Sequence, residues 1–279
     1  MEIFYEIKPL RAFLNGKRKN PSSIGLVPTM GALHQGHIEL IKASRGQNDL
    51  TVCSIYVNPT QFNNAFDLEK YPRTLDSDKE KLEKAGCDVI FAPSNEEMYQ
   101  GTSQIRFDVG EIGSFWEGEF RPGHFNGVAQ VVCKLFNIVQ PHRAYFGQKD
   151  FQQYKVIEKL VDELQFDIQL TSVPIFREPS GLAMSSRNQR LNESEKEKAT
   201  VFYQSLLVAS ELLKKGEQII AVKDKVRQMC EAKPNVKLEY IEWVDTKNLK
   251  PVQNVLAGSV LLIAGYVGEV RLIDNLLLE

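Results

Sequence analysis

His34 and His37 are two of only four histidines in a chain of 279 residues. They stand three positions apart in Val27-Pro28-Thr29-Met30-Gly31-Ala32-Leu33-His34-Gln35-Gly36-His37. An imidazole near neutral pH can donate a hydrogen bond to an anion or move a proton. A spacing of three puts both rings on one face of a helix that begins near Gly36. The apolar run Ile24-Gly25-Leu26-Val27 precedes this stretch, and a helix-like run, Ile38 to Gln47, follows it. Strand, glycine-containing turn and helix, in that order, bring the crevice at a strand's carboxyl end to the positive end of a helix, where phosphate binds. Gly31 and Gly36 let backbone approach a ligand closely. A zinc site is the competing reading, but zinc takes three or four ligands, and locally only Glu39 could join the two histidines.

Three other segments carry side chains suited to the same chemistry. In Gly147-Gln148-Lys149-Asp150, where a strand meets a helix, Lys149 could contact phosphate as a point charge. Asp150 could cap the helix, touch a ribose hydroxyl or help to hold Mg2+. Met184-Ser185-Ser186-Arg187-Asn188 offers two hydroxyls and a guanidinium able to clamp pyrophosphate. Gln61 and Gln153, each just past a strand end, are neutral hydrogen-bonding groups that could hold a hydroxy acid without adding charge. Each has a plainer alternative: a helix cap, a solvated lysine, an interdomain linker, a buried or capping amide. Asp76 and Asp78 join Asp150 as candidate Mg2+ ligands, with substrate phosphates and water as the alternative source of coordination.

Composition narrows the class. The chain is 43% hydrophobic and 25% charged, with net charge −2 and no Lys/Arg-dense run, so no nucleic-acid footprint is expected. An anionic substrate must then be attracted by a few placed cations and helix ends. Cys53, Cys87, Cys133 and Cys230 are scattered without a CxxC pair, which fits buried free thiols in a reducing cytoplasm. The N-terminus has no signal-peptide pattern, and no apolar run reaches membrane-spanning length.

The elements that must position these groups alternate. A short helix is expected over Ile7 to Asn15, then a polar turn, Gly16 to Ser23, and the first strand. Buried strands are expected at Leu50 to Val57, Val89 to Ala92, Ala144 to Phe146 and Ile168 to Val173, with an edge strand at Ile105 to Val109 in an otherwise irregular stretch, 94–126. Helices are expected at Leu75 to Ala85, closed by Gly86, at Gly127 to Gln140, and from Gly147-Gln148-Lys149-Asp150 to Glu163. The alternation predicts an α/β fold, a Rossmann-like doubly wound parallel sheet. After Pro174 the pattern changes to two helices, Glu193 to Lys215 and Gln218 to Glu231, and strands Lys237 to Asp245, Ser259 to Tyr266 and Val270 to Ile273. The expected division is a nucleotide-binding catalytic domain, 1–175, and a smaller α+β C-terminal lid domain, 176–279. The loop 174–192 would lie between them, where clefts form.

The stretch Pro28 to His37 resembles the His-x-Gly-His motif of the nucleotidylyltransferase superfamily, and in its Pro-Thr-Met-Gly-Ala-Leu form it resembles the pantothenate synthetase (pantoate–β-alanine ligase) family. The resemblance continues in family order. It runs through Tyr56-Val57-Asn58-Pro59-Thr60-Gln61-Phe62, Tyr71-Pro72-Arg73-Thr74 and Arg121-Pro122-Gly123-His124-Phe125, then Tyr145 to Gln153, and Arg177-Glu178 to Asn188. Gln35 and Gln148 stand where the family is expected to favour Glu.

The resemblance implies a two-step ligation. Pantoate attacks the α-phosphate of Mg-ATP to give a pantoyl adenylate, and β-alanine then displaces AMP. It assigns Met30, Gly31, Ala32, Leu33, His34, Gln35, Gly36 and His37 to the ATP site, with Gly147, Gln148, Lys149, Asp150, Met184, Ser185, Ser186 and Arg187, and Phe176 through its backbone. His34, His37, Lys149 and Arg187 carry the catalytic roles. Gln61 and Gln153 would hold pantoate, and Gln61 would also lie against β-alanine. The segments 58–71 and 174–192 are candidate lids over a water-sensitive intermediate. Mg2+, a homodimer and a cytoplasmic location are implied; membrane and nucleic-acid partners are not. Adenylyl transfer to a phosphate monoester and a nucleotide sensor without turnover are the competing functions.

Overall fold

The computed structural model describes residues 1–19, 22–101, 103–253 and 257–278. The chain folds as two compact units, Met1–Gln148 with Gln152–Pro174, and Lys149–Phe151 with Ile175–Glu279.

The first unit runs β1 (Glu2–Phe4), α1 (Ile7–Arg18), β2 (Ile24–Thr29), α2 (Gln35–Gln47), β3 (Leu50–Ile55), α3 (Ala65–Glu69), α4 (Leu75–Ala85), β4 (Val89–Phe91), α5 (Asn95–Met98), α6 (Glu117–Phe120), α7 (His124–Val139), β5 (Arg143–Gly147), α8 (Phe151–Glu163) and β6 (Gln169–Val173). The strands form one sheet in the order β1-β4-β3-β2-β5-β6, and every neighbouring pair is parallel. Both faces are covered, so the strands are apolar on both sides. Ile24, Leu26, Val52, Val89 and Phe91 pack under α1 and α7 with Leu10, Leu14, Val132 and Phe136. The alternate residues Val27, Cys53, Ile90 and Tyr145 pack with Leu40 and Ile41 of α2 and Leu82 of α4. This period of two is what a doubly wound sheet requires. Strand order reverses at β2: the chain leaves it toward β3 and returns much later to place β5 on its other side. That switch point opens a crevice at the carboxyl ends of β2 and β5.

In the second unit α9 (Glu193–Lys214) and α10 (Ile219–Glu231) accompany an antiparallel sheet of β7 (Val236–Asp245), β8 (Ser259–Val267) and β9 (Val270–Leu278). Asn192 starts α9 with a capping box: its Oδ1 accepts the Glu195 N–H at 3.0 Å while Glu195 accepts the Asn192 N–H at 2.9 Å. Phe202 and Leu206 of α9 and Val226 of α10 bury against Trp243, Leu261, Ile263 and Leu272. The buried Trp243 satisfies its indole N–H on Ser259 Oγ at 2.7 Å.

Several boundaries depart from the pattern expected. β1 lies at the sheet edge and is too short for periodicity to reveal. Residues 105–109 are not a strand: Ile105 is 74% exposed, and α7 side chains hold the segment, Gln130 on the Ile105 carbonyl and Asn126 on the Val109 N–H. β9 continues past Ile273 to Leu278. The turn expected over 16–23 lies partly outside the described residues. All four cysteines are free. Burial pushes the Cys87 thiol up to about 12 and raises that of Cys53 as well, so both serve as small packing groups. Among the described residues no helix is long and apolar enough to cross a membrane.

Candidate active site

β2 ends at Thr29, and the chain then turns through two left-handed residues, Gly31 at φ +83° and Ala32 at φ +50°. A left-handed alanine costs about 1–2 kcal/mol and persists only where its surroundings over-determine it. They do so through Asp78 of α4, which is 0% exposed. Its Oδ2 accepts the Ala32 N–H at 2.9 Å and its Oδ1 the Leu33 N–H at 2.8 Å. The Thr74 hydroxyl donates to Oδ2 at 3.1 Å, and Lys81 Nζ donates to the Leu33 carbonyl at 2.7 Å. Two residues of α4 thus shape the turn that presents the histidines. Asp78 spends both oxygens on buried donors and so clamps this loop. Asp76, the other α4 carboxylate considered for Mg2+ from sequence, has a 98% exposed side chain paired with Lys79 at 3.2 Å.

His34 is the N-cap of α2 and His37 its third residue. His34 Nδ1 accepts the Gly36 N–H at 3.1 Å, and His37 Nδ1 accepts the His34 N–H at 3.3 Å. A backbone N–H can only donate, so each Nδ1 carries its lone pair and each neutral ring carries its proton on Nε2. The rings lie 4.1 Å apart between centroids. The cap therefore does more than close the helix: it fixes both tautomers and turns each ring's donor nitrogen away from the backbone. Beside the positive end of α2, this is an arrangement for binding an anion.

Gln61 joins this loop. It is 6% exposed and its Nε2 lies 3.2 Å from Met30 Sδ. Its orientation is set by a chain of fixed donors. Asn58 Oδ1 accepts from Thr60 Oγ1 at 3.1 Å and from the Tyr99 hydroxyl at 2.9 Å. Asn58 Nδ2 is then the donor to Gln61 Oε1 and to the Gly127 carbonyl, both at 3.1 Å. That leaves the Gln61 amide nitrogen as its working end. Burial raises the Tyr99 phenol, which keeps it a donor. His124 holds the Gln61 backbone. Arg121 lies 3.1 Å from His124 Nε2, and a guanidinium has no acceptor, so Nδ1 bears the proton and donates to the Gln61 carbonyl at 2.8 Å. Asn58, Tyr99 and His124 were not singled out as site residues from sequence, although Asn58 and His124 lie in blocks that carry the family resemblance.

At the end of β5, Gly147 and Gln148 are half-buried, and residues Gln148–Asp150 form a 3-10 turn ahead of α8. Lys149 is half-buried and Asp150 exposed. Gln153 is half-buried on the first turn of α8, whereas its neighbour Gln152 is buried and committed: its amide binds the Ile112 and Phe115 carbonyls and the Glu117 N–H. In the second unit, Phe176 and Met184 face each other across a small hairpin, the Met184 N–H donating to the Phe176 carbonyl at 3.0 Å. Ser185 follows and caps the 3-10 turn Ser186–Arg190 by accepting the Arg187 N–H at 3.2 Å. The structure thus brings Met30 to His37 together with Gln61 in the first unit. It gathers Lys149 and the 176–187 segment in the second. Among the described residues no group of three or more His, Cys, Asp or Glu is placed to hold a metal ion.

A parallel sheet whose switch point carries a His-capped helix terminus, with a fixed amide donor beside it, defines a nucleotide-binding α/β protein of the His-x-Gly-His type. The model of the family described as Pantoate-beta-alanine ligase matches residues 2–277. Pantothenate synthetase of Aquifex aeolicus (strain VF5) is 50% identical over 275 residues, 98% of this chain and 97% of that protein. The crystal structure of pantothenate synthetase from Thermus thermophilus superposes with a TM-score of 0.93 at 41% identity, covering 99% of each chain. The pantoate-beta-alanine ligase from Francisella tularensis, crystallised with beta-gamma ATP and beta-alanine, gives 0.84 at 37% identity, covering 99% of this chain and 97% of that one. The chain belongs to the pantoate–β-alanine ligase family.

Proposed function

We infer that this chain condenses pantoate with β-alanine, driven by ATP cleavage, and releases pantothenate, AMP and pyrophosphate. Family membership along residues 2–277 carries the reading. In the first step a carboxylate oxygen of pantoate bonds to the α-phosphorus and the bond to pyrophosphate breaks. In the second the neutral β-alanine amine bonds to the acyl carbon, the acyl–phosphate bond breaks to release AMP, and the nitrogen gives up one proton to solvent. Negative charge gathers on phosphate oxygens in the first step, so catalysis there is mainly positioning and electrostatics.

The site residues take these roles. His34 and His37 donate from Nε2 to the phosphates, and the backbone from Met30 to His37 cradles them, with Gln35 and Gly36 in the first turn of α2. Gly147, Gln148, Lys149 and Asp150 contribute to the same nucleotide, as do Met184, Ser185, Ser186 and Arg187, with Phe176 through its backbone. Gln61 and Gln153 hold pantoate, and Gln61 also meets β-alanine. The fixed amide of Gln61 supports this: its donor end suits a carboxylate or hydroxyl and adds no charge. Mg2+ enters as part of the MgATP substrate, where it neutralises phosphate charge. The proposal extends to a cytoplasmic homodimer, on the family resemblance.

The direct test measures AMP formed from ATP and pantoate with and without β-alanine. Sustained AMP release that requires both acceptors is expected; turnover indifferent to β-alanine would refute the reading. A second expectation concerns Gly127. Glycine to alanine inside a helix ordinarily stabilises by about 0.5–1 kcal/mol. Here the added Cβ would sit 2.4 Å from the Thr60 carbonyl oxygen and 2.7 Å from Gln61 Cα. Overpacking costs roughly 1–3 kcal/mol and wins. Gly127→Ala should lower the melting temperature and raise KM for pantoate more than KM for ATP, as steady-state kinetics would detect.

A further inference from the structure

We propose that Asp274 and Asn275, adjacent in β9, are positioning residues for the ATP half-reaction and that this is why the last strand carries two buried polar side chains. Adjacent strand residues project to opposite faces, and this pair uses both. Asn275 is 1% exposed, and its Nδ2 donates to the Lys149 carbonyl at 2.9 Å. Asp274, also buried, holds Arg177 with both oxygens, Oδ2 on Nη1 at 2.6 Å and Oδ1 on Nη2 at 2.9 Å. Oδ1 also accepts the Asn275 N–H at 2.8 Å, which ties the two residues to each other.

Arg177 passes the constraint onward. Its Nη1 donates to the Gly181 carbonyl at 3.1 Å, its guanidinium lies 3.7 Å over the Tyr203 ring, and its backbone bridges Ala183. Gly181 completes the turn at φ +91°, where a Cβ would meet Tyr203 at 2.8 Å. The hairpin so fixed runs directly into Met184 to Arg187. One dipeptide therefore sets the backbone of Lys149 and the entry to the Ser-Ser-Arg segment. Leucines at 272, 276 and 278 supply the packing of this strand. A bidentate buried ion pair is a poor source of stability compared with apolar side chains, but a good way to hold geometry.

The proposal rests on the reading that Lys149 and Met184 to Arg187 contact the nucleotide. Its test uses the full chain with Asn275→Ala, Asn275→Ser, Asp274→Asn, Lys149→Met and the double variant of Lys149→Met with Asn275→Ala. Pyrophosphate release from ATP and pantoate is measured beside AMP release from pre-formed pantoyl adenylate and β-alanine, together with thermal melting. Asn275→Ala and Asp274→Asn are each expected to lower kcat/KM for ATP by about tenfold or more, as misplacement of a reacting group does, with KM for β-alanine unmoved. Asn275→Ser, which keeps a donor, should recover part of the loss. The double variant should be no slower than Lys149→Met alone. Equal loss in both half-reactions in step with a lowered melting temperature, or unchanged ATP kinetics beside an impaired Lys149→Met, would overturn the inference. Lys149→Met with undiminished adenylate formation would instead overturn the reading beneath it.

Discussion

Replacing His34 or His37 with Ala is expected to slow pantoyl-adenylate formation by about a hundredfold or more, the usual cost of removing one pre-positioned donor to developing charge. The measurement is pyrophosphate release from ATP and pantoate. Each ring also has a structural task, since His34 Nδ1 accepts the Gly36 N–H and His37 Nδ1 accepts the His34 N–H. Losing an N-cap acceptor costs about 1 kcal/mol. The two tasks separate in His34→Asn, because asparagine is among the best N-caps but has no Nε2–H at the far side of a ring. Its melting temperature should stay near that of the parent while its rate stays as low as that of His34→Ala. Near-normal pyrophosphate release by both alanine variants would mean that the rings do not face the phosphates.

The second large effect is expected at Asp78. Asp78→Ala leaves the N–H groups of Ala32 and Leu33 buried without their acceptor, at about 1–3 kcal/mol each, and frees a left-handed alanine to relax. A loss of roughly 3–5 kcal/mol follows, with the melting temperature falling by roughly 2–4 °C for each kcal/mol in a chain of this size. Asp78→Asn keeps one carbonyl acceptor and should fall between Ala and the parent. Adenylate formation should decline with loop order, without any change in the Mg2+ concentration that half-saturates the enzyme. A shifted Mg2+ requirement at unchanged melting temperature would make Asp78 a ligand and remove it from the clamp.

The role of Asp78 is hidden in the sequence by its neighbours. The helix Leu75-Asp76-Ser77-Asp78-Lys79-Glu80-Lys81-Leu82-Glu83-Lys84-Ala85 reads as a solvated charged helix, with acidic residues favoured in its first turn. Yet Asp78 stands four before the buried Leu82, on the face turned to the core, and a charge there needs partners. That was the available signal. The His34–His37 stretch was legible because strand, turn and helix follow one another locally, and the doubly wound sheet was legible because its strands are apolar on both faces. The Asn58–Gln61–His124 network was not, because its members meet only through tertiary contact, and amide or imidazole orientation depends on partners far away in sequence. The sequence pattern ends the last strand at Ile273 for a related reason. Asp-Asn ordinarily signals a turn, and here Arg177 and the Lys149 carbonyl absorb both side chains.

The reversal of strand order at β2 bears on how a nascent chain acquires its activity. Gly25 and Leu26 of β2 pair with Arg143 and Ala144 of β5, so the ribosome must synthesise most of the first unit before the central strand gains its second neighbour. Until then β3 and β4 can join β2 on one side, and the other edge stays open to mispairing. The crevice at the carboxyl ends of β2 and β5 is one of the last features of this sheet to exist. For this architecture, the exposure of a sticky edge during translation ends, and the cleft beside the central strand is completed, with the same event, the arrival of β5.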